Sequence, residues 1–237
     1  MPQISIANLT VDFGILGMNA RSLRKRFLDK ATGGALRSTA DDTVVVRALD
    51  SISLEIQAGD RIGLLGHNGS GKSTMLRVLA GLYHPTGGTV SVSGTVGALL
   101  SPNGGMDMEA TGAENIFLRG QLLGLTREQL DAIFDEIASF TELGEFLDLP
   151  MRTYSSGMIA RLAFAVSTAI SPNILLIDEG IGAGDADFQE KVQKRVVDLV
   201  DRSPILVLAS HDASIINRLC NRQVRLEHGK VILDERM

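Results

Sequence analysis

Runs of apolar residues with a period of two, or without polar interruption, mark the predicted strands of this chain. Residues 51–57 alternate apolar and polar side chains and predict a half-buried strand, whereas residues 61–65 and 174–177 are continuously apolar, as in strands buried within a parallel sheet. The predicted strands lie at residues 4–13, 44–46, 51–57, 61–65, 89–92, 95–100, 174–177, 205–209, 224–226 and 231–233. The pair at 89–92 and 95–100 and the last two strands are expected to form hairpins, because short turn sequences separate them.

Helical periods occupy the segments between many of these strands. Thr126 and Gln129 predict a capping box at one helix start, and Pro172 is expected to end another helix. The predicted helices lie at residues 74–80, 111–124, 126–140, 154–171 and 185–200. The pattern predicts an α/β fold of mostly parallel sheet with an antiparallel β subdomain, in a single domain over residues 1–237. Residues 102–170 interrupt the α/β alternation and predict an inserted helical subdomain.

Residues 15–43 are expected to form a variable basic and flexible insert. Its first part, Arg21–Lys30, carries several basic residues beside Leu23, Phe27 and Leu28. A basic amphipathic helix that contacts lipid headgroups or a partner would have this composition, and so would a solvated surface helix. The sequence leaves both interpretations open.

Composition narrows the classes of function. The chain has 237 residues, a net charge of −5 and a pI of about 5.4, which disfavours broad electrostatic binding to nucleic acid. Its single cysteine, Cys220, cannot form an internal disulfide, as expected in a reducing compartment. No segment resembles a signal peptide, and no apolar run approaches the roughly 18 residues that span a bilayer. We therefore expect that any work at a membrane requires another chain.

Residues 66–73 match the phosphate-binding pattern G-x-x-x-x-G-K-[ST], between a predicted buried strand and a predicted helix. Glycines let successive backbone N–H groups turn toward a phosphate, and the helix N-terminus adds a positive field. Lys72 is expected to reach the β- and γ-phosphates of ATP, and the Ser73 hydroxyl to bind Mg²⁺. The residues expected to hold the nucleotide here are Gly66, His67, Asn68, Gly69, Ser70, Gly71, Lys72, Ser73 and Thr74.

Further candidate residues follow two other predicted core strands. Asp178 and Glu179 come directly after residues 174–177, and His211 follows the strand at 205–209. Two acids at the end of an apolar strand are costly to bury unless a cation shares the site, although structural carboxylates could also end a strand. Asp178 is expected to hold Mg²⁺, Glu179 to orient or deprotonate the attacking water, and His211 to contact the γ-phosphate.

This order of motifs resembles the ATP-binding cassette (ABC) family of ATPases. The resemblance covers nearly the whole chain and adds Tyr154–Met158, which is similar to the family's signature motif, and Asp185. It implies a P-loop NTPase core and a homodimer that holds two ATP molecules, with Ser155, Ser156 and Gly157 of one copy facing the ATP bound by the other. A helix N-terminus at Ser155 agrees with that role, since helix starts bind anions. The resemblance further implies that Phe13 stacks on adenine. The alternative is that Phe13 packs in the protein core.

A narrower resemblance is to ATP-binding subunits of bacterial polysaccharide exporters. It rests on Tyr154–Met158 and on three further segments, residues 110–116, 160–165 and 182–189. It implies an ATPase at the cytoplasmic face of the inner membrane that powers a membrane permease. That permease would handle a lipid-linked polysaccharide of the O-antigen, capsule or teichoic acid type.

Two positions depart from the usual family pattern. Ser101 occupies the place of a glutamine that contacts magnesium in most cassettes, and Gly184 precedes Asp185 in an altered loop. Contacts through both segments are therefore expected to differ. Three other functions compete with polysaccharide export: a soluble non-transport ABC ATPase, a small P-loop kinase, and the ATPase subunit of an importer or drug exporter.

Overall fold

The computed structural model describes residues 1–15, 36–38, 44–100, 105–178 and 186–237. It divides into two compact units, Met1–Gly94 with Leu176–Glu179 and Pro204–Met237, and Thr95–Leu175 with Gly180–Ser203. The strands are β1 Gln3–Ile15, β2 Leu36–Ser38, β3 Val44–Gln57, β4 Arg61–Leu65, β5 Gly87–Ser93, β6 Val96–Leu99, β7 Ile174–Ile177, β8 Ile205–Ala209, β9 Arg222–Glu227 and β10 Lys230–Arg236. The α-helices are α1 Lys72–Leu79, α2 Gly112–Leu122, α3 Arg127–Thr141, α4 Ser156–Ser167, α5 Ala186–Arg202 and α6 Ala213–Leu219.

An antiparallel sheet in the first unit has the strand order β2-β3-β1-β5. Alternate residues of β1 and β3 pair across it, such as Ile4 with Ile56 and Ile6 with Leu54, and these side chains are buried. Burying every second residue explains the period of two in the sequence. The segments predicted as separate strands at 44–46 and 51–57 are one strand of 14 residues, in which Ser51 has a positive φ of 55°.

In the larger sheet, five neighbouring strands have the order β10-β9-β4-β8-β7. β4 lies parallel to both β8 and β9, and β9 pairs antiparallel with β10. Every residue of β8 is buried, as its continuous apolar sequence predicts. The prediction of a mostly parallel sheet with a closing hairpin at β9 and β10 is confirmed.

The second unit contains α2, α3, α4 and α5. Thr111 and Glu114 form a reciprocal capping box at the start of α2, and Thr126 with Gln129 does so at α3, as predicted. Side chains from α2, α3 and α4 share one apolar core, whose buried members include Ile116, Ile137, Leu143, Met151, Leu162 and Val166. The fold class is confirmed, and the proposed limits of the helical subdomain, residues 102–170, stay a prediction.

The predicted hairpin at residues 89–100 is wrong. β5 pairs with β1 in the antiparallel sheet, whereas β6 neighbours β7 in the second unit, where Ile174 N donates to Thr95 O at 3.0 Å. Ser93 and Gly94 therefore connect strands of two different sheets. A local turn signal cannot tell a hairpin from such a transfer, because each strand finds its partner elsewhere in the chain.

Some predictions concern positions that the structure leaves undescribed. The basic segment Arg21–Lys30 and Ser101 lie outside the described residues, as do Glu179 and Asp185. Among the helices that the structure describes, none has both the length and the apolar character that crossing a membrane requires.

Candidate nucleotide-binding site

Residues 66–73, which we call the phosphate loop, follow the end of β4 and run into α1, which begins at Lys72. Ile62, Gly63 and Leu64 of β4 are buried, so the loop starts from a fixed position in the core. Gly66 has a φ of 147°, and a Cβ added there would lie 2.3 Å from the carbonyl oxygen of Leu226. Only glycine fits this close approach to β9. The predicted order of strand, loop and helix is therefore present.

Lys72 lies folded over the loop that precedes it. Its Nζ donates to the carbonyl oxygen of Gly66 at 2.7 Å and to that of His67 at 3.2 Å, and the residue is only 7% exposed. Both acceptors are neutral, so the positive charge is not cancelled by them. A largely buried cation on a loop rich in backbone N–H groups is an anion-binding arrangement, which fits the expected contact with phosphate oxygens.

Ser70 provides an independent test of that fit. Its side chain is fully buried, and within the part of the chain that the structure describes its Oγ has no hydrogen-bond partner. A buried hydroxyl without a partner costs about 1–3 kcal/mol, so such groups are rare away from functional sites. Ser73 and Thr74, on the first turn of α1, are half-buried. The loop thus offers hydroxyl and ammonium donors suited to a polyphosphate.

His211 is close to the phosphate loop. β8 lies parallel to β4, so His211 and the loop leave the sheet at the same edge. Both segments line one cavity of about 330 Å³, whose lining includes Gly66, His67, Ser210, His211 and Glu227. The sequence predicted this meeting, because the carboxyl ends of parallel strands share one edge.

The segment around His211 is held by local hydrogen bonds. Asp212 caps α6 and accepts from Ser214 N at 2.8 Å and from Ser214 Oγ at 2.7 Å. These bonds lower the pKa of Asp212, with a smaller contribution from the charge of His211. Asp212 N in turn donates to Ser210 Oγ at 3.0 Å. His211 therefore lies between two residues whose positions are fixed.

Asp178 directly follows β7, whose four residues are all buried. β7 neighbours β8 in the sheet, so Asp178 and His211 follow adjacent strands. The Asp178 side chain is half-buried. Glu179 is outside the described residues, and its role stays a prediction from the sequence.

Ser155 begins the signature helix α4 in the second unit. Its Oγ accepts from Met158 N at 3.2 Å, and Ser155 and Ser156 are exposed while Gly157 is half-buried. The preceding Tyr154 is buried, its hydroxyl donates to Phe146 O at 2.5 Å, and burial raises its pKa. The helix start is thus anchored on its inner side and open to solvent on its outer side.

The chain that leads into α2 is held by a buried amide. Asn115 is fully buried; its Oδ1 accepts from Asp107 N at 2.8 Å and its Nδ2 donates to Asp107 O at 2.8 Å and to Thr111 O at 2.9 Å. Arg152 N donates to Met108 O at 2.9 Å, just before the signature motif. The segment after residues 101–104 is therefore tied both to α2 and to the approach to Ser155.

Phe13 lies near the end of β1, opposite Val46 of β3, and is 38% exposed. Its ring contacts that of Tyr83 in a T-shaped arrangement, with 5.4 Å between the ring centroids. No pattern in the sequence singles out Tyr83, because its contact with Phe13 depends on how the turn after α1 folds against β1.

Comparison with known proteins identifies the family. The ABC transporter family profile matches residues 49–182, which include the phosphate loop, the signature motif and Asp178. The chain belongs to the ABC transporter family. This finding confirms the predicted resemblance. It also confirms the prediction that the chain is an ATP-binding ATPase subunit.

Relatives of this cassette include exporter subunits. It is 47% identical over 237 residues to the O-antigen export system ATP-binding protein RfbE of Yersinia enterocolitica, covering 100% of this chain and 99% of that protein. It is 39% identical over 184 residues to the teichoic acids export ATP-binding protein TagH of Lactococcus lactis subsp. lactis (strain IL1403), covering 78% of this chain but only 39% of that protein.

Solved structures of similar fold include a dimeric ATP-binding cassette in a post-hydrolysis state bound to ADP and Pi. It superposes on this cassette with a TM-score of 0.69 and 22% identity, over 98% of each chain. An ATP-binding subunit of an ABC transporter gives a TM-score of 0.71 at 19% identity, over 99% of this chain and 90% of that one. These likenesses show the fold.

Proposed function

We propose that this cassette binds and hydrolyses ATP to power export of a lipid-linked polysaccharide of the O-antigen, capsule or teichoic acid type. The observation that carries the proposal is the 47% identity, along the whole chain, to an O-antigen export system ATP-binding protein. The phosphate loop supports the ATP-dependent part, since it combines the Lys72 ammonium with the buried hydroxyl of Ser70, which has no hydrogen-bond partner among the residues that the structure describes.

Nucleotide binding begins at this loop. Phosphate oxygens replace the carbonyl partners of Lys72, which brings its charge onto the β- and γ-phosphates. Ser73 and Asp178 would hold Mg²⁺, which neutralises charge that develops on the triphosphate. Phe13 stacks on adenine, using the exposed part of its ring.

Hydrolysis uses residues that follow β7 and β8. Glu179 orients the attacking water and takes up its proton, and His211 donates to the γ-phosphate. Because His211 lies at the cavity beside Gly66 and His67, loss of the γ-phosphate is transmitted to the segment that precedes α6.

Two copies of the cassette complete the site. Ser155, Ser156 and Gly157 of one copy contact the γ-phosphate held by Lys72 of the other, and Asp185 contributes at the same seam. The exposed start of α4 supports this role, since the N-terminus of a helix favours anions. ATP therefore joins the copies, and hydrolysis separates them.

The dimer acts on a separate integral membrane permease that handles most of the polysaccharide. The cassette works peripherally at the cytoplasmic face of the inner membrane, and nucleic acid is not a partner. Closing and opening of the two copies drives the permease between its states, as a γ-phosphate switch biases a two-state element.

The test is deletion of the coding sequence in its host, followed by complementation. Loss of the cassette should abolish surface polysaccharide and leave its lipid-linked precursor facing the cytoplasm. The unaltered gene should restore export and the Lys72→Ala variant should not, whereas Lys194→Ala, at an exposed lysine of α5, should restore it. Unchanged surface polysaccharide together with a defect in uptake of a solute or in drug efflux would overturn the export assignment.

A further inference from the structure

The base end of the proposed ATP site contains a second aromatic ring. The rings of Phe13 and Tyr83 meet at an interplanar angle of 74°, with 5.4 Å between their centroids. T-shaped aromatic pairs at this separation are attractive beyond the apolar area that they bury. Tyr83 therefore restricts the orientation of the Phe13 ring on one side, while 38% of the residue stays exposed.

Tyr83 is anchored to the helix that follows the phosphate loop. The backbone N–H groups of Leu82 and Tyr83 donate to Arg77 O at 2.9 and 3.3 Å. The guanidinium carbon of Arg77 lies 5.7 Å from the centroid of the Tyr83 ring, within the range of a cation–π contact. The position of the ring therefore follows that of α1.

The turn that carries Tyr83 is also fastened to β1 beside Phe13. Thr86 N donates to Thr10 O at 2.8 Å, and Asp12 N donates to Thr86 Oγ1 at 3.1 Å. Asp12 is the residue immediately before Phe13. Backbone and side-chain contacts thus converge on Phe13 from the same turn.

We infer that Tyr83 is a positioning residue for the nucleotide base. It holds the Phe13 ring in place before the base arrives, and it links that ring to α1, whose first residues hold the phosphates. A ring fixed in advance loses less rotational freedom when it stacks, so binding is tighter. This inference rests on the proposed function, in which Phe13 stacks on adenine.

The test compares a ligand that has a base with one that lacks it. Affinities for Mg-ADP and for Mg-pyrophosphate are measured by calorimetry on the full chain and on the Tyr83→Leu, Tyr83→Phe and Phe13→Ala variants. Loss of the aromatic contact in Tyr83→Leu should weaken ADP binding about two- to ten-fold, as expected for an aromatic pair. Pyrophosphate affinity should be unchanged, and Tyr83→Phe, which keeps the ring, should behave as the unaltered chain.

Phe117→Leu is the matched control, because Phe117 also lies beneath an arginine but in the second unit. It should alter neither affinity. If Tyr83→Leu weakens both ligands equally, Tyr83 only supports the fold and the inference is wrong. If Phe13→Ala lowers the ratio of ADP to pyrophosphate affinity but Tyr83→Leu does not, the inference fails while the Phe13 assignment stands. If neither variant changes that ratio, both fail, although phosphate binding through Lys72 is untouched.

Discussion

The backbone N–H of Gly229 donates a hydrogen bond to the carbonyl oxygen of Ser70 at 3.0 Å. This bond joins the turn between β9 and β10 to the phosphate loop. The same glycine accepts from Asp50 N at 2.8 Å, so the turn also contacts β3. The shape of the phosphate loop therefore depends on the turn between β9 and β10.

Replacing Gly229 should disturb the loop from a distance. Gly229 has a φ of 77°, and an added Cβ would lie 2.7 Å from Ala48 O. We expect Gly229→Ala to lower the free energy of unfolding by about 1–3 kcal/mol, because backbone strain and a backbone clash combine. ATP affinity should fall as well. Denaturant unfolding and nucleotide titration check the two effects.

Gly59→Ala is the control for strain alone. Gly59 also has a positive φ, 96°, but an added Cβ there meets no described atom within 4 Å. Its replacement should cost about 1 kcal/mol and leave ATP affinity unchanged. If both variants lose ATP affinity equally, the turn between β9 and β10 has no specific effect on the phosphate loop.

Ser155 caps the N-terminus of α4 and is proposed to contact the γ-phosphate bound by the other copy. The substitution Ser155→Asp separates these two roles. Aspartate caps a helix as well as serine does, so the free energy of unfolding should change by less than about 0.5 kcal/mol. Its negative charge should repel the γ-phosphate of the opposite copy and abolish ATP-dependent dimerisation. Light scattering after size-exclusion chromatography, with and without Mg-ATP, measures this.

Thr126→Asp changes the N-cap of α3 in the same way, outside the proposed dimer seam. It should dimerise as the unaltered cassette does. If Ser155→Asp dimerises at the same ATP concentration as the unaltered cassette, Ser155 does not contact the γ-phosphate bound by the opposite copy.

Glu179→Gln should trap the closed state. The amide keeps the size of the side chain but cannot take up a proton, so ATP should bind while hydrolysis falls at least about 100-fold, as for loss of a general base. The variant should accumulate as an ATP-bound dimer. Phosphate release and size-exclusion chromatography test this, with Glu190→Gln on α5 as a control that should hydrolyse normally. Turnover near the normal rate would remove Glu179 from the catalytic role.

Cys220 should be inert in the folded protein. Burial raises the pKa of its thiol from 9.0 to about 12. At pH 8 the thiolate is then about 1,000-fold rarer than in the unfolded chain, and labelling by a thiol reagent should slow at least in proportion. The folded state holds this proton more tightly, so the contribution to stability is complete below pH 9 and declines as pH rises toward 12. Rapid labelling at pH 8 without denaturant would contradict this burial.

Local signals in the sequence predicted most of the elements. The capping box of Thr126 with Gln129 sets the start of α3, and the continuous apolar run of β7 is buried as expected. The meeting of Gly66 and His211 was also predictable, because it follows from parallel strands that end at one edge of the sheet. In each case, a short stretch of residues carries the information.

Contacts between distant segments could not be predicted in the same way. The turn at Ser93 and Gly94 joins two sheets because β5 pairs with β1, a choice made by residues about 80 positions away. Tyr83 reaches Phe13, and Gly229 reaches Ser70, only after separate strands have come together. Contacts of this kind leave no periodicity or residue spacing in the sequence from which they could be predicted.

The Ser70 hydroxyl has no hydrogen-bond partner in the described part of the chain, and this makes the stability of the folded protein depend on bound nucleotide. The free-energy cost of removing this hydroxyl from water is incurred when the chain folds, so it is not incurred again when nucleotide binds. A phosphate oxygen that accepts from it would return about 1–3 kcal/mol to the folded state. Cells rich in ATP would therefore hold a cassette that resists heat and proteolysis better than the same chain in starved cells.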